Sequence, residues 1–122
     1  MQCTVARLSR IAPELPVVDL RDALTYYRQR LGFEVAMEMP DGDYAIVERD
    51  GVAIHLFRDD RSRSAIGMHI FTPDIDELYR EFQNRGAKFS QEIERKPWGN
   101  REFRIKDEFG NELKFTEPLA ED

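Results

Sequence analysis

The chain writes one supersecondary unit twice. Residues 17–57 run Val17-Val18-Asp19-Leu20, a helical stretch, Leu31-Gly32-Phe33, then two extended stretches joined at Asp50-Gly51. Residues 72–116 run Thr72-Pro73-Asp74-Ile75, a helical stretch, Arg85-Gly86-Ala87, then two extended stretches joined at Phe109-Gly110-Asn111. Asp19 matches Asp74, Gly32 matches Gly86 and Gly51 matches Gly110. Neither half can cover its own apolar sheet face alone, so the two must share a core. The expectation is one domain over residues 1–122, with modules at about 5–58 and 66–117 joined in one continuous curved sheet.

Within each half the hydrophobic period says which stretch is which. Leu20, Ala23, Leu24, Tyr27 and Leu31 form one helical stripe, entered at Asp19 and stopped at Gly32. Ile75, Leu78, Tyr79 and Phe82 form the second, with Asp74 as the expected cap and Gly86 as the stop. Phe33 to Met39 alternates as a strand does. Tyr44–Glu48 and Val52–Phe57 predict a hairpin across Asp50-Gly51. Residues 4–12 are expected to form the first strand, before Pro13 and Pro16 bend the path. Residues 58–65 read as a polar linker. Residues 66–71, 103–106 and 112–116 read as strands, and residues 88–101 as irregular.

Charge and cysteine content exclude several classes. The formal net charge is −6 with no clustered basic face, which argues against a nucleic-acid partner. Only Cys3 is present, so no internal disulfide forms and a reducing compartment is expected. No apolar run approaches the roughly 20 residues of a membrane helix, and no signal-peptide core is visible at the N-terminus. The cytoplasm is the expected location, with no membrane partner.

Three stretches carry a resemblance. They are Pro13-Glu14-Leu15-Pro16-Val17-Val18-Asp19 leading into Tyr26-Tyr27 and Leu31-Gly32-Phe33, then Pro97-Trp98-Gly99 with Arg101-Glu102-Phe103, and the Asp107-Glu108-Phe109-Gly110-Asn111 turn. Together they resemble the vicinal oxygen chelate superfamily of glyoxalases, extradiol dioxygenases and bleomycin resistance proteins, and the last branch most. The resemblance implies an α+β fold in which two βαβββ modules form a curved half-barrel sheet with helices on the convex side. It also implies a ligand on the concave face. Metal-using members place four ligands there, which on this chain fall at Ala12, His55, Gly67 and Lys114. Only His55 can bind a divalent ion, and Lys114 repels one. The resemblance therefore implies no metal, no cofactor and no catalytic residue. A displaced site from His55, His69 and Glu112 is the alternative.

The function implied is metal-independent sequestration of a small molecule, bleomycin-like in the branch it resembles. The rival is a metal-dependent glyoxalase- or dioxygenase-like enzyme. Trp98 and Phe33 are the expected stacking walls. His55, His69, Arg104, Glu112 and Lys114 are expected to point into the cleft, because Ile54, Leu56, Ile105, Leu113 and Phe115 alternate with them toward the helices. Pro13 and Pro16 resemble the hinge at which relatives exchange the N-terminal strand, which implies a homodimer.

Overall fold

The computed structural model describes residues 6–60 and 66–118. The elements run β1 (Glu14–Val17), α1 (Leu20–Leu31), β2 (Glu34–Glu38), β3 (Tyr44–Arg49), β4 (Val52–Arg58), β5 (Gly67–Phe71), α2 (Ile75–Arg85), β6 (Phe89–Arg95), β7 (Arg101–Lys106) and β8 (Glu112–Thr116). Each module is thus βαβββ, and the fold is α+β as expected. In each, the first strand lies parallel to the last and the remaining pairs are antiparallel, giving orders β1-β4-β3-β2 and β5-β8-β7-β6.

Local chemistry sets the element ends. The Asp19 side chain accepts from the backbone N–H of Asp22 at 3.0 Å and caps α1. Gly32 ends the helix at φ +75°, where a Cβ would lie 2.7 Å from Arg49 Nη1. The β3–β4 turn carries Asp50 at φ +53° and Gly51 at φ +82°, the two positive angles that a tight two-residue hairpin requires. The stripe of α1 is buried throughout, at Leu20, Ala23, Leu24, Tyr27 and Leu31. In α2 only Ile75 and Phe82 are buried, while Leu78 and Tyr79 are partly covered. Tyr79, Phe82, Phe89, Phe103 and Phe115 form a ring cluster beneath α2, with centroids 5.1–6.0 Å apart.

Four expectations are corrected. The two sheets do not join: among the described residues β1 and β5 remain separate edges. Residues 6–13 form no strand, while residues 4 and 5 lie outside the described segments. The first strand is the stretch Glu14–Val17, with Pro16 inside it. Pro13 and Val17 turn their carbonyls to β4, accepting from His55 and Asp59 at 3.0 and 2.9 Å. Pro16 has the opposite parity, so its missing N–H falls on the open edge and breaks no bond. The stretch expected to be irregular contains β6, whose register slips twice against β7. Its burial still alternates, with Phe89, Gln91 and Ile93 half-buried and Ser90, Glu92 and Glu94 exposed, but polar Gln91 at an inner position leaves only Phe89 and Ile93 as apolar markers of the strand. Asp74 sits at the start of α2 but its side chain makes no capping bond; Thr72 Oγ1 instead accepts from the Asp74 N–H at 3.1 Å.

What joins the modules is side-chain chemistry. Asp107, 4% exposed, accepts through Oδ2 from Tyr27 Oη and Asn111 Nδ2, both at 3.0 Å. Its Oδ1 accepts from the backbone N–H of Phe109 and of Asn111, both at 2.9 Å. Asn111 donates its second amide hydrogen to the carbonyl of Pro16 at 3.0 Å. Burial, then the neighbouring Asp107, pushes the Tyr27 phenol well above its usual range, so it stays a donor. At the other end Arg49 of β3 grips Glu81 of α2 through two bonds of 2.9 and 2.8 Å, and Arg85 adds a third at 2.6 Å.

The Glu81 carboxyl is held below its ordinary value, chiefly by the Arg49 hydrogen bonds. A lowered folded-state value stabilises the fold at neutral pH, and that stabilisation disappears as pH falls through the lowered value. Thermal melts followed across the acid range are expected to show a smaller loss for Glu81→Gln than for the wild type. Equal acid sensitivity in both proteins would contradict the assignment.

Candidate functional site

Period-two alternation decides which side chains leave the core. Ile54, Leu56, Phe103, Ile105, Leu113 and Phe115 are buried toward the helices. His55, Arg104, Glu112 and Lys114, which alternate with them, stand on the outward faces. On the second sheet the register aligns His69, Lys114 and Arg104 as neighbours across β5, β8 and β7. The sequence-predicted group is therefore split: His69, Arg104, Glu112 and Lys114 share one face, and His55 belongs to the first sheet.

The second face is an ordered set of charges. Arg104 Nε donates to Glu102 Oε2 at 2.7 Å, and its Nη1 lies 3.8 Å from Glu112 Oε1. Glu112 also accepts from Ser90 Oγ at 2.9 Å. Lys96 Nζ reaches to 4.0 Å from Glu102. The Lys114 stem lies over Gly67, where a Cβ would be 3.7 Å from Lys114 Cε and 3.9 Å from its Nζ. Its ammonium has no ion pair among the described residues. His69 Nδ1 contacts Thr116 Oγ1 at 3.1 Å, and its ring stacks on Phe71 at 6.1 Å between centroids.

On the first face, His55 Nδ1 is 2.7 Å from Tyr44 Oη, and Tyr44 donates to Glu14 Oε2 at 2.8 Å. That bond to Glu14 raises the Tyr44 phenol above its ordinary value. Beside the two sheets, a groove of about 420 Å³ runs between the N-terminal arm and β5, lined by Ile11, Pro13, Val52, Met68, His69 and Phe71 among others.

The two expected aromatic walls behave differently. Trp98 sits in the turn between β6 and β7 and is 61% exposed. Phe33 is 3% exposed and packs edge-on against Tyr27 at 5.9 Å, so it supports α1 and offers no surface to a ligand. Sequence reasoning passed over Glu102 and Tyr44. Glu102 is 1% exposed, and its Oε1 has no hydrogen-bond partner among the described residues. Its signal was present, since it has the parity of Arg104 between buried Phe103 and Ile105. Tyr44 has the parity of Ile46 on β3, and its meeting with His55 follows only from hairpin register.

A divalent cation does not fit these residues. Among the described residues no three His, Cys, Asp or Glu side chains converge on a point. His55, His69 and Glu112 are engaged separately by Tyr44, Thr116 and Ser90, so the displaced site is not formed. The ammonium of Lys114 occupies the space above Gly67 and opposes a second positive charge. Among the described residues no helix is long and apolar enough to cross a membrane.

A family model described as Glyoxalase/Bleomycin resistance protein/Dioxygenase superfamily matches residues 7–115. No curated protein matches the sequence. Among solved structures, a bleomycin resistance determinant encoded on the transposon Tn5 superposes with a TM-score of 0.83 at 20% identity, covering 93% of this chain and 100% of that one. A bleomycin-binding protein complexed with bleomycin gives 0.79 at 21% identity, covering 91% and 99%. A lactoylglutathione lyase from Agrobacterium tumefaciens gives 0.74 at 22% identity, covering 92% and 96%. At these identities the likeness is one of fold, and that fold hosts both a binding protein and a lyase.

An exposed Trp98 carries little folding energy. Trp98→Ala is expected to change unfolding free energy by no more than about 0.5 kcal/mol in urea titrations. A loss of about 3 kcal/mol, the scale of a buried tryptophan, would contradict its placement.

Proposed function

The chain belongs to the glyoxalase/bleomycin resistance protein/dioxygenase superfamily, and from that membership we propose that it binds a small molecule without using a metal. The compound is held against the sheet faces and kept from its target, with no bond made or broken. The observation that carries this reading is the ammonium of Lys114 lying over Gly67, at two of the places where a metal-using member needs carboxylate or imidazole. Two fold neighbours, a bleomycin-binding protein and a bleomycin resistance determinant, support the class.

Trp98 supplies the stacking surface, which contributes roughly 0.5–1.5 kcal/mol beyond the area it covers. His55, His69, Arg104 and Lys114 supply the polar contacts, and Glu112 with Glu102 holds Arg104 in place. Trp98 fluorescence is the direct readout. Titration with bleomycin is expected to quench it at tens of micromolar drug or below, and Trp98→Ala, which removes the only tryptophan and is followed by calorimetry, is expected to weaken binding roughly tenfold, equal to about 1.4 kcal/mol. An unchanged signal with drug in excess would count against sequestration. The lyase reading draws on the fold neighbour from Agrobacterium tumefaciens. Stoichiometric metal retained by the purified protein through His55 or His69 would favour it.

The same reading includes a homodimer that exchanges its N-terminal arm. Leu8 and Ile11 in that arm are 101% and 94% exposed, an unfavourable place for two large aliphatic side chains. Among the described residues the edge of β5 has no strand partner on its open side. An arm from a second copy satisfies both. Sizing at micromolar concentration is expected to give twice the 14.3 kDa chain mass, and a species at 14.3 kDa would overturn the dimer.

A further inference from the structure

Counting protons fixes the direction of the hydrogen-bond chain on the first sheet. A tyrosine hydroxyl carries one hydrogen. Tyr44 gives its hydrogen to Glu14 Oε2 at 2.8 Å. The 2.7 Å contact between Tyr44 Oη and His55 Nδ1 must then be donated by the ring. In the neutral imidazole this leaves Nε2 without a hydrogen and with its lone pair free. Nε2 has no partner among the described residues. His55 lies between Ile54 and Leu56, both 0% exposed toward α1, so its ring stands on the outward face. The edge-on packing of Tyr44 and His55, 5.7 Å between centroids at 81°, holds the ring in that orientation.

The repeat gives this arrangement its meaning. His55 lies four residues past Gly51, and Lys114 lies four residues past Gly110. Each also pairs with the first strand of its module, His55 with Glu14 and Lys114 with His69. The two modules thus carry opposite groups at one equivalent place: a hydrogen-bond acceptor on the first sheet and, on the second, a cationic donor with no ion pair among the described residues.

We propose that His55 is a dedicated acceptor in the binding face, taking an N–H or O–H donor of the ligand on Nε2, with Tyr44 and Glu14 as positioning residues that set its tautomer. This rests on the small-molecule reading above and gives the ligand a chemical class. It presents an amine, amide or hydroxyl donor to the first sheet. Tyr44 and Glu14 touch the ligand only through the ring they orient.

Heteronuclear NMR of the histidine side-chain nitrogens, recorded above the imidazole titration range, tests the tautomer. The wild type is expected to show hydrogen on Nδ1 and none on Nε2 of His55. Tyr44→Phe is expected to shift the hydrogen toward Nε2 while the melting temperature changes little. Hydrogen on Nε2 in the wild type would overturn the proposal. Carbethoxylation by diethyl pyrocarbonate, read by mass spectrometry, then reports access to the free nitrogen. His55 is expected to react several-fold faster in the wild type than in Tyr44→Phe, and bound bleomycin is expected to protect it. Bleomycin that binds yet leaves the His55 rate unchanged would also overturn the proposal. If bleomycin does not bind while His55 keeps its tautomer and reactivity, the sequestration of that drug falls and the acceptor assignment stands.

Discussion

The buried carboxylate of Asp107 is the point on which the two modules depend. It accepts four hydrogen bonds, two from backbone groups in its own turn, one from Asn111 and one from Tyr27 of the opposite module. Asn111 then passes the connection to Pro16 of β1. A buried acceptor of this kind stabilises only while every donor is present, because each orphaned partner costs about 1–3 kcal/mol. The sheets themselves share no strand pair among the described residues, so this network and the Arg49–Glu81 bridge, with the bonds of Tyr26 to Lys88 and Lys106, the α1–α2 contacts of Arg30 and Arg85 and the shared apolar core, fix how one face is set against the other.

The inward residues of the two modules follow one pattern, and the outward residues do not. Both modules alternate large apolar groups toward the helices. Outward, the first presents Glu14, Tyr44, Ile46 and His55, and the second presents His69, Glu102, Arg104 and Lys114. A duplicated core under unlike faces gives one scaffold with two chemistries. The first carries the Glu14–Tyr44–His55 chain, and the second carries fixed positive charge balanced in part by Glu102 and Glu112.

Much of this was legible in the residue pattern. The stripe from Leu20 to Leu31, the stops at Gly32 and Gly86 and the turn at Asp50-Gly51 are local, and local chemistry sets them. The outward parity of His55, Arg104, Glu112 and Lys114 followed from alternation with their buried neighbours. What escaped depends on register and on the approach of distant segments. In β6 a polar residue, Gln91, holds an inner position between Phe89 and Ile93, so the alternation of the strand is not written in apolar residues. Pro16 reads as a break, yet an edge strand accommodates it because its nitrogen faces away from β4. Phe33 looked like an open wall from its place after Gly32, but packing against Tyr27 closes it. Tyr44 reaches His55 across a hairpin, a meeting that spacing along the chain does not reveal.

If the Asp107 network couples the modules, the energies of its members across the interface cannot be independent. The most direct measurement is a double-mutant cycle by equilibrium unfolding, combining Tyr27→Phe with Asp107→Asn. The account predicts a coupling of roughly 1–3 kcal/mol between a helix of one module and a turn of the other. Effects that add to within about 0.5 kcal/mol would show that the two halves are held together by something else.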